Sequence, residues 1–181
     1  DYYREQAQAF YNTMMSTLEA CNDDEICAKD LGGDAVAAYD HLSASVVGKA
    51  LKFKFPLPSG ETIEREMTLA DLETAVTGYL YSEMPRTIML RALAAATTQN
   101  DLAPMARILY DSLYMDPTTL EAIPDPSYSD AVYYGVECID YYYPGDTPEE
   151  AGKAYIEAGN KIDETLPHFS SLYYGDIPCP F

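Results

Sequence analysis

The 181-residue chain contains no tryptophan, only two histidines, and only 11 lysines and arginines against 30 aspartates and glutamates. The net charge of −19 repels nucleic-acid phosphates and anionic lipid headgroups, and the few basic residues form no continuous stripe. We therefore expect no nucleic-acid partner. We also expect no membrane span, because no apolar run approaches the roughly 20 residues that a spanning helix needs.

The glycine patterns of two large enzyme classes are also missing. No two glycines stand four positions apart, as a G-x-S-x-G nucleophile elbow requires, and none stand two apart, as in G-x-G-x-x-G. His41 and His168 are far apart in the sequence. This spacing does not match an H-E-x-x-H zinc site, and it does not indicate an imidazole triad. We predict no catalytic residue, no metal site and no cofactor in this chain.

Four cysteines are present, and none lies in a C-x-x-C pair. Three pairings are possible, but the five residues between Cys21 and Cys27 favour a local bridge, which leaves Cys138 with Cys179. Because disulfides persist in oxidising compartments, we expect the parent protein to be exported to the periplasm, the cell surface or the medium. The alternative is a cytosolic protein with four buried free thiols.

Helical spacing of apolar residues recurs along the chain, which is 48 % apolar. It predicts a mainly α fold, a compact bundle of six to eight helices with one small β-hairpin at about residues 51–67. The first helix runs from about Tyr2 to Ala20 and ends at a loop that spans Cys21 and Cys27. Later helices start at these signals: a capping box at Thr68 and Asp71, Pro85 in a first turn ahead of Arg86, a cap at Asp101, a cap at Ser127 or Ser129, and Thr147-Pro148 with Glu150.

The hairpin register follows from one assumption, that Pro58-Ser59-Gly60 forms a three-residue turn with Gly60 in the left-handed region. Phe55 then faces Ile63 and Leu51 faces Met67. In the same register Lys54 faces Glu64 and Lys52 faces Glu66, so the hydrophobic and the charged pairs agree.

Two surface features remain as candidate sites. A late acidic cluster could offer carboxylates to a cationic ligand group, although charge runs usually form solvated faces; its members are Glu137, Asp140, Asp146, Glu149 and Glu150. Nine of the seventeen tyrosines lie after residue 127, as in Tyr133-Tyr134, Tyr141-Tyr142-Tyr143 and Tyr173-Tyr174. They could line a groove, because tyrosine has an apolar face and a hydrogen-bonding tip, or they could simply pack helices.

Several motifs occur in an order that resembles the cap, or lid, of exported bacterial α/β-hydrolases of the tripeptidyl-aminopeptidase and proline-iminopeptidase-like group. A helix ends at Cys21 with Cys27 close behind, and the hairpin and the Thr68-Leu69-Ala70-Asp71-Leu72 helix follow. Then come Leu80-Tyr81 and the Leu90 to Ala96 run, which are similar to the family's "LY...LA.AL..A" helices. Val136-Glu137-Cys138-Ile139-Asp140 resembles "AI.C.D", and Ile177-Pro178-Cys179-Pro180 resembles the return into the catalytic core.

The resemblance implies that residues 1–181 are a single helical cap domain excised from a longer hydrolase, an expectation that the abrupt start and the loop-like end also favour. In this family the catalytic Ser precedes the cap, and the Asp and His follow it. The partners would be the α/β-hydrolase core of the same parent chain and, through that enzyme, a peptide substrate. The resemblance also implies that Cys138 and Cys179 pair across the base of the cap.

This hypothesis makes the chain the substrate-gating lid of an aminopeptidase-like serine hydrolase. Glu137 and Asp140 would bind the N-terminal ammonium of the peptide. In the isolated chain the surface that faces the core would be exposed, so dimerisation through it is expected. One alternative is an independent exported helical binding module with a tyrosine-rich partner surface. Another is a self-contained enzyme that works with carboxylates alone, as glycoside hydrolases do.

Overall fold

The computed structural model describes residues 2–140, 144–176 and 179. Over these residues the fold is mainly α with one β-hairpin, as predicted. None of the described helices combines the length and the apolar character that crossing a membrane requires. The elements are α1 (Tyr2–Asp23), α2 (Glu25–Asp30), α3 (Ala35–Val46), β1 (Leu51–Pro56), β2 (Thr62–Met67), α4 (Leu69–Tyr79), α5 (Glu83–Thr98), α6 (Ala103–Ser112), α7 (Asp130–Asp140), α8 (Pro148–Asp163) and a 3₁₀ helix (Ser170–Asp176).

Contacts between Cα atoms divide the chain into two units. The N-terminal unit comprises residues 9–123, with most of α1, the hairpin and α2 to α6. The C-terminal unit comprises residues 1–8 and 124–181, with α7, α8 and the 3₁₀ helix. The assignment of all 181 residues to one domain stays a prediction.

The hairpin has the predicted register, with Leu51 opposite Met67 and Phe55 opposite Ile63. Gly60 has a φ of +87°, a left-handed conformation that glycine adopts without a steric penalty. The ion pairs differ from a simple cross-strand pattern. Lys52 Nζ lies 2.9 Å from Glu64 and 3.5 Å from Glu66, so one lysine bridges its direct and its diagonal neighbour.

Side-chain caps fix the starts of several helices, and two of the predicted caps are confirmed. Thr68 and Asp71 form a reciprocal capping box at α4. The hydroxyl of Thr147 accepts a hydrogen bond from the Glu150 backbone N–H at the start of α8. At α3, Asp34 accepts bonds from the N–H groups of Val36 and Ala37. Each cap satisfies backbone donors that have no partner inside the helix.

The predicted loop spanning Cys21 and Cys27 is wrong. Helix α1 continues to Asp23, and α2 begins at Glu25 with Asp24 as its N-cap. A helix of six residues is too short to show an apolar periodicity, so the carboxylate that accepts from Ile26 and Cys27 was the available signal.

Helix α5 also starts earlier than predicted, at Glu83 rather than Arg86. Pro85 is its third residue. The helix tolerates it because backbone N–H groups in a first turn have no partner within the helix.

The core of the N-terminal unit surrounds Phe55, which the hairpin places against α6. Its ring meets the Tyr110 ring edge to face at 5.5 Å, and the Arg107 guanidinium carbon lies 4.8 Å from its centroid. A cation over an aromatic face is attracted to it. Other fully buried side chains come from α1, α3, α4, α5 and α6, namely Met14, Leu18, Tyr39, Leu72, Met89, Leu93 and Met105.

In the C-terminal unit, tyrosines hold the 3₁₀ helix against α8. The rings of Tyr155 and Tyr173 stack with centroids 4.6 Å apart, and the Tyr155 hydroxyl donates to the Tyr173 carbonyl. Gly159 lets the Tyr174 ring approach α8, because an added Cβ would overlap that ring. These tyrosines therefore pack secondary structure, which was the second of the two roles considered from the sequence.

Two disulfides are present, with the pairing that the spacing favoured. Cys21 bonds to Cys27 with Cα atoms 5.2 Å apart, and Cys138 bonds to Cys179 with Cα atoms 4.9 Å apart. The chain has no free cysteine, so the alternative of four free thiols does not hold. Such bonds are typical of proteins outside the reducing cytosol.

Candidate functional site

Helix α7 carries the two carboxylates predicted to bind substrate. It begins after Ser129, whose carbonyl accepts from the N–H groups of Val132 and Tyr133. Glu137 is half-buried on this helix. Asp140 is its last residue, but the Asp140 side chain lies outside the described part of the structure. Their role in binding stays a prediction.

The same helix exposes an apolar stripe that the sequence analysis did not identify as a site. Val132, Val136 and Ile139 are 65 %, 52 % and 82 % exposed, and their spacing of four and three residues places them on one helix face. No α7 residue with a described side chain is buried. The 3.6-residue period was visible in the sequence, but a period cannot tell whether a partner covers the face.

Two features support α7 at its ends. The Cys138–Cys179 disulfide ties its last turn to the segment that follows the 3₁₀ helix. At the other end the rings of Tyr128, Tyr133 and Tyr134 form a chain, with centroid distances of 6.2 and 5.1 Å. Desolvation and then the nearby Asp130 charge raise the pKa of Tyr128.

A second candidate site is a groove of about 850 Å³ in the N-terminal unit, between α1, α2 and α5. Small polar residues of α1 line one wall. The hydroxyls of Thr13 and Thr17 donate to the carbonyls of Ala9 and Thr13 in their own helix, so their hydrogens are already used. The Cys21–Cys27 disulfide belongs to the same lining.

Charges of both signs line this α1–α5 groove. Arg86 and Arg91 come from α5, and carboxylates come from Asp24, Asp30 and Glu83. The Arg86 Nε donates to the Leu80 carbonyl at 2.7 Å, which holds that side chain against the end of α4. The groove offers contacts to a ligand that carries a positive and a negative group. Its lining includes no histidine and no free thiol.

The two histidines lie elsewhere. His41 is exposed on α3 and lines a different groove, together with residues of β1. His168 is buried in the C-terminal unit, with its ring 6.4 Å from that of Phe169. Among the described residues no group of three or more histidine, cysteine, aspartate or glutamate side chains is arranged to hold a metal ion.

Comparison of the chain with protein-family models, curated proteins and solved structures found no match.

Proposed function

We propose that this chain is the cap of an exported α/β-hydrolase, and that it covers an active site whose Ser, Asp and His belong to the rest of the parent protein. The observation that carries this proposal is the exposed apolar stripe of α7, on the same helix as Glu137. A cap needs one surface that rests on the catalytic core and one group that contacts the substrate. Helix α7 can supply both.

The low stability expected of α7 on its own supports a partner that covers its apolar stripe. An isolated helix of 11 residues is marginal in water, and most helices are stabilised by burying an apolar face. Since α7 buries none of its described side chains, the disulfide at Cys138 and the tyrosine contacts have to hold it. A catalytic core that covered Val132, Val136 and Ile139 would provide the missing burial.

The acidic character of the C-terminal unit supports a cationic substrate group. This unit contains 13 acidic and three basic residues, a net charge of −10. A peptide with a free N-terminus presents an ammonium group, and a carboxylate in a site closed to water binds it with a strong charge-assisted hydrogen bond. Glu137 is our first candidate and Asp140 our second. Closure of the lid would exclude water and select the substrate.

The experiment that tests the proposal starts from the parent gene. We expect its coding sequence to contain a signal peptide and a G-x-S-x-G motif before this segment, with an Asp and a His after it. A stop codon directly after Phe181 and no hydrolase core upstream would contradict the proposal.

In the full-length enzyme, Glu137→Gln and Asp140→Asn should raise KM for free-amine peptides and leave KM for N-acetylated peptides unchanged. Glu157→Gln is the matched control, because Glu157 is an exposed acid on α8 of the same unit. An unchanged KM for free-amine peptides in both α7 variants would remove these carboxylates from the substrate site.

One observation favours the alternative of an independent exported binding module. Several tyrosines are well exposed, including Tyr81 at 75 %, Tyr114 at 63 % and Tyr128 at 56 %. Tyrosine is enriched in protein interfaces. This alternative predicts that the 181-residue chain alone captures a partner, and that Tyr128→Ala or Tyr114→Ala weakens the capture.

A further inference from the structure

The outer edge of strand β1 has no neighbouring strand among the described residues. The hairpin is a two-stranded sheet, so within the described residues each strand lacks a neighbour on one side. Such an edge presents backbone N–H and C=O groups that can pair with another strand. The position of these groups on β1 follows from the hairpin register.

The register shows which residues point their backbone outward. Leu57 N–H donates to the Glu61 carbonyl at 2.8 Å, and hydrogen-bonded positions recur at every second residue of an antiparallel pair. Phe55 and Phe53 therefore bond to β2, while Lys54 and Lys52 direct their backbone groups away from it. Pro56, the next outward position, agrees with this pattern, because its carbonyl accepts a bond of 2.8 Å from Arg107 on α6.

This edge lines a groove of about 640 Å³ within the N-terminal unit. Four consecutive β1 residues, 51–54, contribute to the lining. Side chains alternate between the two faces of a strand, so a run of four marks the strand edge. No described hydrogen bond from outside the hairpin reaches the backbone of Lys52 or Lys54. The remaining lining comes from α3, from α5 and from the link to α6: His41, Leu42, Ser45, Ala96, Thr97, Asn100, Asp101 and Leu102.

The lining of this groove is less acidic than the chain as a whole. It contains two lysines, Lys52 and Lys54, and one carboxylate, Asp101, although the net charge of the protein is −19. Hydrogen bonding and charge attraction from Glu64, with Glu66 behind it, raise the pKa of Lys52. Lys54 has no ion pair within the described part of the chain, so it can meet an incoming carboxylate.

We propose that the outer edge of β1 binds an extended peptide segment with alternating apolar and acidic residues, which adds a third, antiparallel strand to the hairpin. Main-chain bonds would supply affinity and alternate side chains specificity. On one face, acidic side chains would lie opposite Lys52 and Lys54, an opposite-charge pairing that stabilises sheets. On the other face, apolar side chains would contact Leu51 and Phe53, which are half-buried.

Charge excludes one obvious occupant. A second copy of β1 would set lysines opposite Lys52 and Lys54, and like charges directly opposite each other destabilise a strand pair. The site involves only residues of the N-terminal unit and no hydrolytic step. Binding at this edge therefore does not depend on the proposed lid function, and either can fail without the other.

The first test is a titration of the ¹⁵N-labelled 181-residue chain with the blocked peptide Val-Glu-Val-Glu-Val, followed by NMR. We expect the amide signals of Lys52 and Lys54 to shift and saturate, while those of Glu64 and Glu66 on the opposite edge stay in place. The peptide Val-Lys-Val-Lys-Val should bind at least tenfold more weakly. No saturable shift at millimolar peptide would overturn the proposal. A concentration-dependent shift of the Lys52 and Lys54 signals without peptide would also overturn it, since it would mean that hairpins pair with each other.

Two N-methylated peptides test the main-chain bonds without changing the protein. In the antiparallel arrangement the glutamate N–H groups point to β1 and the valine N–H groups point away. Methylation of both glutamate nitrogens should abolish binding, while methylation of the last two valine nitrogens should change affinity less than threefold. If both peptides bind alike, strand addition is wrong.

The matched protein variants are Lys54→Pro and Glu64→Pro. Both positions direct their N–H away from the other strand, so proline removes no main-chain hydrogen bond within the hairpin at either site. Glu64→Pro also removes the ion pair between Lys52 and Glu64. Lys54→Pro should weaken binding at least tenfold, and Glu64→Pro should leave it within twofold. Equal affinity for both variants would contradict the proposed edge. The N-methylated peptides still decide the question if a proline variant fails to fold.

Discussion

The two units of this chain differ in what holds them together. In the N-terminal unit, α3, α4, α5 and α6 each bury several side chains around a common core. In the C-terminal unit, α7 buries no described side chain, and α8 is held to the 3₁₀ helix through tyrosine rings. Charge differs as well. The C-terminal unit carries −10 over 66 residues, whereas the N-terminal unit carries −9 over 115.

The two units are therefore stabilised in different ways. Apolar burial gives free energy in proportion to the area removed from water, and the N-terminal unit has enough of it to form a conventional core. The C-terminal unit has less burial and more electrostatic repulsion, so a covalent link has the larger part in holding α7. This predicts that equivalent changes will have unequal effects in the two units.

The largest effect should come from the disulfides. Replacing Cys138 and Cys179 by serine opens a bridge with a sequence separation of 41, and replacing Cys21 and Cys27 opens one with a separation of 6. Loop-closure entropy predicts losses of about 4 and about 2.4 kcal/mol in the free energy of unfolding. Urea unfolding measures both, and hydrogen exchange should locate the first loss in α7. A larger loss from the Cys21–Cys27 pair would contradict the comparison.

Truncating one side chain in each unit should change the free energy of unfolding by unequal amounts. Leu93→Ala removes a fully buried side chain in α5 and should cost about 3 kcal/mol of unfolding free energy, from lost transfer energy and a new cavity. Val136→Ala changes the exposed stripe of α7 and should cost less than about 0.5 kcal/mol when measured at concentrations where the chain is monomeric. Thermal and urea unfolding measure both values. A cost above about 1 kcal/mol for Val136→Ala in the monomer would mean that the stripe packs against another part of the chain.

The oligomeric state of the isolated chain tests whether the apolar stripe of α7 is free in solution. We expect the isolated chain to dimerise through the apolar stripe, and Val136→Glu to keep it monomeric in sedimentation velocity. Ile156→Glu is the matched control, because Ile156 is also exposed but lies on α8. A monomeric wild-type chain would show that the stripe does not associate with itself.

Loss of a helix cap should have a similar small cost in both units. Thr68→Ala at α4 and Thr147→Ala at α8 each remove a hydroxyl that accepts a backbone N–H, at about 1 kcal/mol of unfolding free energy. Serine at the same positions keeps the acceptor and is the control. Hydrogen exchange should show the increase in the first turn of the affected helix only. Increased exchange throughout the chain would contradict a local role.

Local patterns in the sequence predicted the features that depend on neighbouring residues. The hairpin register followed from the turn at Gly60 and from pairing rules, and the caps at Thr68 and Thr147 followed from spacing. The cysteine pairing followed from the distance between Cys21 and Cys27. Each of these depends on bonds between residues close in the chain or joined by one turn, so short-range chemistry was sufficient.

Features that depend on the absence or presence of a distant partner could not be predicted. The period of Val132, Val136 and Ile139 indicated a helix, but burial depends on what packs against it. Helix α2 and the 3₁₀ helix were missed because six and seven residues are too few to show a period. The α1–α5 groove combines residues from three helices, and only tertiary packing brings them together.

The smallest effect concerns acid stability, and its sign follows from Asp34. Hydrogen bonds from the Ala37 backbone and from the Asn22 side chain lower the pKa of this carboxyl from 3.8. The unfolded chain therefore binds a proton at Asp34 more readily than the folded chain. The stabilisation is complete above the unfolded pKa and is lost as pH falls through the lower folded pKa. Backbone N–H groups lower the pKa of Asp116 in the same way, mainly through Thr119.

The variant Asp34→Asn separates the charge from the cap, because an amide oxygen can still accept the backbone bonds at α3. At pH 7 its unfolding free energy should be lower than that of the wild type, because the stabilisation that belongs to the charged carboxylate is missing, and the two values should converge as pH falls through the folded pKa of Asp34. Between about pH 4 and pH 2 its stability should fall less steeply, since one linked proton is removed. Urea midpoints across this range measure the slope. A slope equal to the wild-type value would show that Asp34 is not one of the groups that couple folding to acid.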